Sequence, residues 1–297
     1  MKSKFRSVAL SSNFQRIKAQ ALREMAVKKK IQGKTYVDRI IDQRPCLNTL
    51  DVTATSEIFL NWTKEHNISP ADLYCILDHT YPKINCFMLQ GVSNAGKTYW
   101  MSPLFHQSHL KRQTIVSTDF KFMHCINKEV IEIPELTLTK MDEMEELKKV
   151  FEGLPTQVNV KNKPSALLER IPVILTTNSV PWKFYSEEKA PLQNHMFGYA
   201  LYQPSNVLEN VVKSADPRFY AQVYSYIREE VASRPIWPFA PNSPEMKTLH
   251  AKVETYIRGL CENETMKYVK GIEEGTLLTR QNPIRNAMFT NKPSSER

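Results

Sequence analysis

No stretch of this 297-residue chain approaches the ~18 consecutive apolar residues needed to cross a bilayer, so no membrane partner is expected. The N-terminus is basic and amphipathic and lacks the continuous apolar core of a secretory signal. Cysteine is scarce: Cys46, Cys75, Cys86, Cys125 and Cys261 are odd in number and scattered, with no C-x-x-C pair. That pattern excludes a zinc ribbon or a disulfide framework and fits reduced thiols in an intracellular protein. There is no internal repeat. A hydrophobic content of 41% supports a sizeable core in one or two compact units.

What the chain does have is positive charge, unevenly placed. The net charge is +9, from 40 Lys and Arg against 31 Asp and Glu. Residues 1–34 hold ten of the basic residues and a single acid, Glu24, and so account for the whole excess. Such an arm favours a polyanion or a nuclear import receptor, and Lys28-Lys29-Lys30 has the composition of an import signal; the expected location is the nucleus. A second reading stays open, a solvated helix capped by Ser12 or Asn13 with Phe14, Ile17, Leu22 and Met25 as its apolar stripe.

The most informative segment is Gly91-Val92-Ser93-Asn94-Ala95-Gly96-Lys97-Thr98, a match at every fixed position to the phosphate-binding loop G-x-x-x-x-G-K-[ST]. Its context is right. Residues 84–90 read as a buried strand and a helix can begin after Thr98, so backbone N–H groups would surround the phosphates of a nucleotide. In this reading Lys97 holds the β- and γ-phosphates of ATP and the Thr98 hydroxyl ligates Mg²⁺. Mg²⁺ and the attacking water also need a carboxylate at the end of a nearby strand; Glu132 is expected there as metal ligand and water-polarising acid, with Glu135 following past Pro134. A further strand, from Pro172, ends in Asn178, whose amide can orient water and sense the γ-phosphate.

Along the chain, helices are expected over about 56–66 and from Ser69, where Ser69, Pro70 and Asp72 have the chemistry of a helix start. Strands are expected over 114–118, 129–133, 171–176 and 197–202. A helix opens at Thr139 and stops at Gly153, and residues 157–161 alternate like one arm of a hairpin. From about 217 the pattern is helical. Strands alternating with helices imply a parallel sheet covered on both faces. The expected organisation is a basic arm (1–34), a helical oligomerisation segment (35–82), a nucleotide-binding core (83–215), a helical C-terminal region (216–278) and a flexible tail (279–297).

Taken together these motifs resemble the superfamily 3 helicase domain of parvovirus-type non-structural replication proteins. The resemblance covers about 69–202. Lys83-Ile84-Asn85 leads into the loop strand as in that family, and Ile131-Glu132-Ile133-Pro134-Glu135 is similar to its second acidic element, with Ile133 where a second acid is usual. Val92 replaces a usual proline. The element between the second and third sites, K-x₄-G-G-x₅-D-x-K-x-K in outline, is approximated by Lys148, Glu152-Gly153, Asn159, Lys161 and Lys163, with Glu152 for Gly, Asn159 for Asp and three residues after Lys148 where the pattern has four. The resemblance implies an α/β, AAA+-like P-loop NTPase with a central parallel sheet flanked by helices, a small N-terminal helical bundle and a helical C-terminal region. It implies an ATP- and Mg²⁺-dependent DNA helicase acting on single-stranded or unwinding double-stranded DNA as a homo-oligomer, a hexamer, with Lys161 and Lys163 on the DNA backbone.

Two departures accompany it. In the run Leu192-Gln193-Asn194-His195-Met196, His195 stands where the family has an arginine finger, a change that weakens turnover unless Lys189 or Arg218 substitutes. The chain has no H-x-H, and some 90 residues before the loop are too few for the family's nicking domain. The implied activity is helicase without endonuclease; the alternative is a catalytically weak ATP- or DNA-binding accessory that assembles with a full-length replication protein. An unrelated P-loop enzyme such as a nucleoside kinase would need neither the Asn178 strand end nor the lysine hairpin.

Overall fold

The computed structural model describes residues 35–46, 48–105, 112–114, 122–136, 141–160 and 163–273, with side chains for all of these but 112–114, 163 and 263–273. The basic arm 1–34, the tail 279–297, residues 115–118 of the second expected strand, Thr139 and Lys161 lie outside the described residues.

Three helices come first. α1 (Tyr36–Ile41) starts from a reciprocal Thr35–Asp38 capping box. α2 (Val52–His66) begins four residues before the expected Ser56, because the Asp51 carboxylate accepts from Ala54 N at 2.7 Å and caps it there. Its first turns carry Thr53, Thr55 and Ser56, polar by type yet buried, so apolar periodicity could not mark them. α3 (Pro70–Leu77) is capped by Ser69, with Pro70 at its first position.

The sheet comes next. β1 (Cys86–Gly91) lies between β6 (Val173–Thr177) and β7 (Met196–Leu201), and β6 carries β3 (Val130–Pro134) and then β2 (Arg112–Thr114). All four pairings are parallel, in the order β2-β3-β6-β1-β7. Parallel strands end together, so their C-terminal ends line one edge of the sheet, where ligands of open α/β sheets bind.

Alternating side chains serve the two faces. Phe87, Leu89, Val130 and Ile174 join a core with α1 to α3, with α4 (Lys97–Met101), and with α7 (Arg218–Ala232) and α8 (Pro244–Glu273). Cys86, Met88, Ile131, Ile133, Val173 and Leu175 join a second core with α5 (Met141–Glu152) and α6 (Lys189–Gln193). α5 stops where predicted: Gly153 has φ +79°, and Leu154 N donates back to Lys149 O at 2.9 Å. An antiparallel hairpin of β4 (Thr156–Val160) and β5 (Lys163–Leu168) stands beside the second core. This is the expected α/β architecture, a central parallel sheet with helices on both faces.

Candidate nucleotide-binding site

β1 delivers Gly91 into the loop and α4 leaves it at Lys97. The turn between them has two left-handed residues, Asn94 at φ +62° and Gly96 at φ +87°, a region that asparagine tolerates and glycine occupies freely. Gly96 has no room for a side chain either: a Cβ would lie 2.4 Å from Leu208 Cδ1 and 2.5 Å from Trp62 Nε1. At Gly91 a Cβ would meet the Leu201 carbonyl oxygen at 2.2 Å. The end of β7 therefore packs on the start of the loop, and Val92 N donates to that same carbonyl at 3.1 Å.

Lys97 is only 8% exposed. Its ammonium donates to the carbonyls of Gly91 and Val92, each at 2.8 Å, and to Asn178 Oδ1 at 2.9 Å, one acceptor for each of its three protons. Burial pulls its pKa below the ordinary lysine value, and the charge of Glu135 works against that shift. Asn178 is the first residue past β6, and its N–H donates to Glu135 Oε2 at 3.1 Å. Glu135 is the first residue past β3. It turns out of the strand at φ +54°, with its own N–H donating to Thr176 O at 2.8 Å. The ends of three neighbouring strands thus meet through Lys97, Asn178 and Glu135. A cavity of about 340 Å³ opens there, lined by Ser93 to Tyr99 with Glu135 and Asn178.

Glu132 is not among those lining residues, and its expected position at the strand end is corrected. Ile133 and Pro134 continue the strand, opposite Leu175 and Thr176 of β6, while Glu132 sits back in the sheet, half-buried, opposite Thr114 and Ile174. The strand end comes at Glu135. Of the hairpin lysines, Lys161 lies outside the described residues and the backbone of Lys163 opens β5 opposite Val160. Lys148 pairs with Glu145 at 2.6 Å and Glu188 at 2.8 Å.

His195 lies just before β7, at the opposite end of the β1–β7 pair from the loop. Its Nδ1 is 2.8 Å from the Lys83 carbonyl, which can only accept, so Nδ1 carries a hydrogen; Nε2 is 4.0 Å from Glu152. Of the two other cations considered, Arg218 is paired with Asp216 at 2.6 Å and Lys189 is exposed at the start of α6. One contributor escaped the sequence reading. Trp62 donates from Nε1 to the Ala95 carbonyl at 2.8 Å. A tryptophan on the apolar face of a helix reads as core, and nothing nearby in sequence marks its loop contact.

Among the described residues no cluster of His, Cys, Asp and Glu could hold a metal by itself. Two of the residues lining the cavity, Thr98 and Glu135, carry a hydroxyl and a carboxylate, hard donors that suit Mg²⁺ arriving with phosphate oxygens.

A profile of the parvovirus non-structural protein NS1 family matches residues 2–180, more than half of the chain. The chain belongs to that family. The NS1 match takes in the loop, Glu135 and Asn178. The initiator protein NS1 of Junonia coenia densovirus (isolate pBRJ/1990) is 30% identical over 123 residues, covering 38% of this chain and 21% of the densovirus protein. The NS1 family chain therefore aligns with about a fifth of that relative's length. Among solved structures, JCV helicase bound to a substituted N-phenylacetamide is 16% identical and covers 88% of this chain and 78% of its own, with a TM-score of 0.43. The apo C-terminal region of NrS-1 is 10% identical over 75% of this chain and 48% of its own, with a TM-score of 0.34.

Proposed function

We propose that this chain is the ATP-driven motor segment of a parvovirus-type replication protein: an ATPase that moves along DNA. The observation that carries the reading is the Lys97–Asn178–Glu135 network, a cation, an amide and a carboxylate joined at 2.9 and 3.1 Å above a phosphate-binding loop. Lys97 would exchange its carbonyl and amide partners for the β- and γ-phosphates. Glu135, with Glu132 behind it in the same strand, would accept a hydrogen bond from the attacking water and hold it for in-line displacement at the γ-phosphorus. Asn178, bonded to both Lys97 and Glu135, would report loss of the γ-phosphate to β6. Thr98 together with the carboxylate would hold Mg²⁺, which neutralises charge on the phosphates. Lys161 and Lys163 would follow the DNA backbone, since phosphate contacts grip without reading sequence. Assembly as a homo-oligomer, a hexamer, and action in the host nucleus alongside a full-length replication protein belong to the same proposal.

The test is ATP turnover by the purified chain, with and without single-stranded DNA. Turnover that rises with DNA and disappears in Lys97→Ala supports the motor; turnover unchanged by Lys97→Ala removes the site. One observation favours a second reading, a nucleotide-binding accessory with weak turnover: His195 is engaged with the Lys83 carbonyl, and an imidazole lacks the five-donor planar fork of arginine. On that reading wild-type turnover is barely measurable and His195→Arg raises it.

A further inference from the structure

The phosphate loop is backed by a segment, Ser205-Asn206, that a carboxylate holds in place. Glu65, in the last turn of α2, accepts from Ser205 Oγ through Oε2 at 2.8 Å and from the backbone N–H of Asn206 through Oε1 at 3.2 Å. Ser205 is buried, and its own N–H donates to the Asn94 carbonyl at 3.0 Å. One turn earlier on the same helix, Trp62 holds the Ala95 carbonyl at 2.8 Å, its ring stacked on Trp100 of α4 with centroids 5.1 Å apart.

A trans peptide points its C=O and its N–H in opposite directions. Fixing the Asn94 carbonyl against Ser205 turns the N–H of Ala95 the other way, and fixing the Ala95 carbonyl against Trp62 does the same for the N–H of Gly96. Ala95 and Gly96 both line the cavity. These are the amides that an anion needs, and pre-aimed donors cost nothing to reorganise when it arrives. A carboxylate suits the task because bonds to a charged acceptor are about twice as strong as neutral ones.

We propose that Glu65 is a positioning residue for triphosphate binding, acting through Ser205 and Asn206 to aim the amides of the loop. The inference rests on the reading of residues 91–98 as a triphosphate site.

The experiment measures the affinity of the whole chain for a fluorescent ADP analogue, together with its melting temperature. Glu65→Ala should weaken binding by about tenfold or more. Ser205→Ala should weaken it less, and adding Ser205→Ala to Glu65→Ala should cost little more, because both act through one contact. Ile40→Val, a core change in α1, lowers the melting temperature away from the loop and from residues 205–206 and should leave affinity unchanged. A merely structural Glu65 would behave like Ile40→Val, losing melting temperature while the folded chain binds as before, and that result overturns the proposal. Where Glu65→Ala does not fold, Glu65→Gln replaces it: the amide keeps one acceptor and turns an NH₂ towards a donor, so weaker binding is expected and wild-type affinity is the overturning result. Lys97→Ala separates the two levels. If it binds normally, the triphosphate reading itself falls. If it does not bind while Glu65→Ala binds like wild type, only the role of Glu65 falls.

Discussion

At position 96 two independent constraints coincide, a left-handed backbone at φ +87° and neighbours, Trp62 and Leu208, that a Cβ would overlap. Gly153 is left-handed too, at φ +79°, but the atoms nearest its missing Cβ belong to the Arg170 side chain, at 2.7 to 3.1 Å. The backbone cost of alanine is common to both, about 1–2 kcal/mol. Both neighbours are also held, Trp62 by its bond to Ala95 and its stacking on Trp100 and Arg170 by its Nε bond to Asn85, so a steric cost is added at each. Gly96→Ala and Gly153→Ala should therefore each cost about 3 kcal/mol or more, but only Gly96→Ala, in the loop itself, should abolish nucleotide binding; urea denaturation and a nucleotide titration check both. At this scale much of the site was legible. The fixed glycines, Lys97, Thr98 and Asn178 are residue types their chemistry demands at set spacing. The Trp62 contact was not, because 33 residues separate the partners and only the folded helix brings them together. Both acids were read from the sequence; the strand end falls at Glu135 and not at Glu132 because the strand runs on through Pro134, which opposes Thr176 in the sheet.

Between elements, Asn85 fastens the foot of β1. It is fully buried, and its Nδ2 donates to Val150 O at the end of α5 (3.0 Å) and to Ile171 O ahead of β6 (2.7 Å). Its Oδ1 accepts from Arg170 Nε at 3.1 Å, and the Arg170 guanidinium also donates to the carbonyls of Tyr81 and Ile84. The β4–β5 hairpin returns through Arg170, so one amide ties the loop-bearing strand to the hairpin that carries Lys163. Asn85→Ala would strand the Ile171 carbonyl, leave the Val150 carbonyl with the Gly153 N–H alone, and weaken the hold on Arg170; an unsatisfied buried group costs about 1–3 kcal/mol. Thermal denaturation should register a loss of at least that size. Asn85→Asp should rescue little, because its second oxygen would face carbonyls that need a donor. The sequence marked Asn85 only as part of a strand lead-in. Its side-chain partners lie 65 to 86 residues away, beyond any periodic signal. Elements with their own start and stop chemistry, such as α3 behind Ser69-Pro70, were readable locally, whereas the buried threonines and serine that open α2 read as polar.

For the whole molecule, the helices on either side of the nucleotide core do not have cores of their own. A single apolar cluster runs from Tyr36 and Val37 in α1, through Trp62, Phe87, Ala95 and Trp100, to Phe219 and Tyr220 in α7 and to Met246, Leu249, Val253 and Ile257 in α8. The loop's own Ala95 is part of it. A boundary near 216, natural from the change to a helical pattern, would let residues 83–215 fold and bind nucleotide without α7 and α8. The shared cluster predicts otherwise. Removing the chain from Pro244 onward strips four side chains that are each at most 4% exposed. At about 1.5–3 kcal/mol for each fully buried aliphatic side chain, that loss rivals the whole stability of a domain, about 5–15 kcal/mol. It also bares α2, which carries both Trp62 and Glu65. A chain ended at Ser243 should therefore lose cooperative melting and nucleotide binding together, followed by circular dichroism and by titration with a fluorescent nucleotide. A truncated chain that still melts cooperatively and binds would show that the sheet and its loop stand without α8, and that the cluster is two cores in contact.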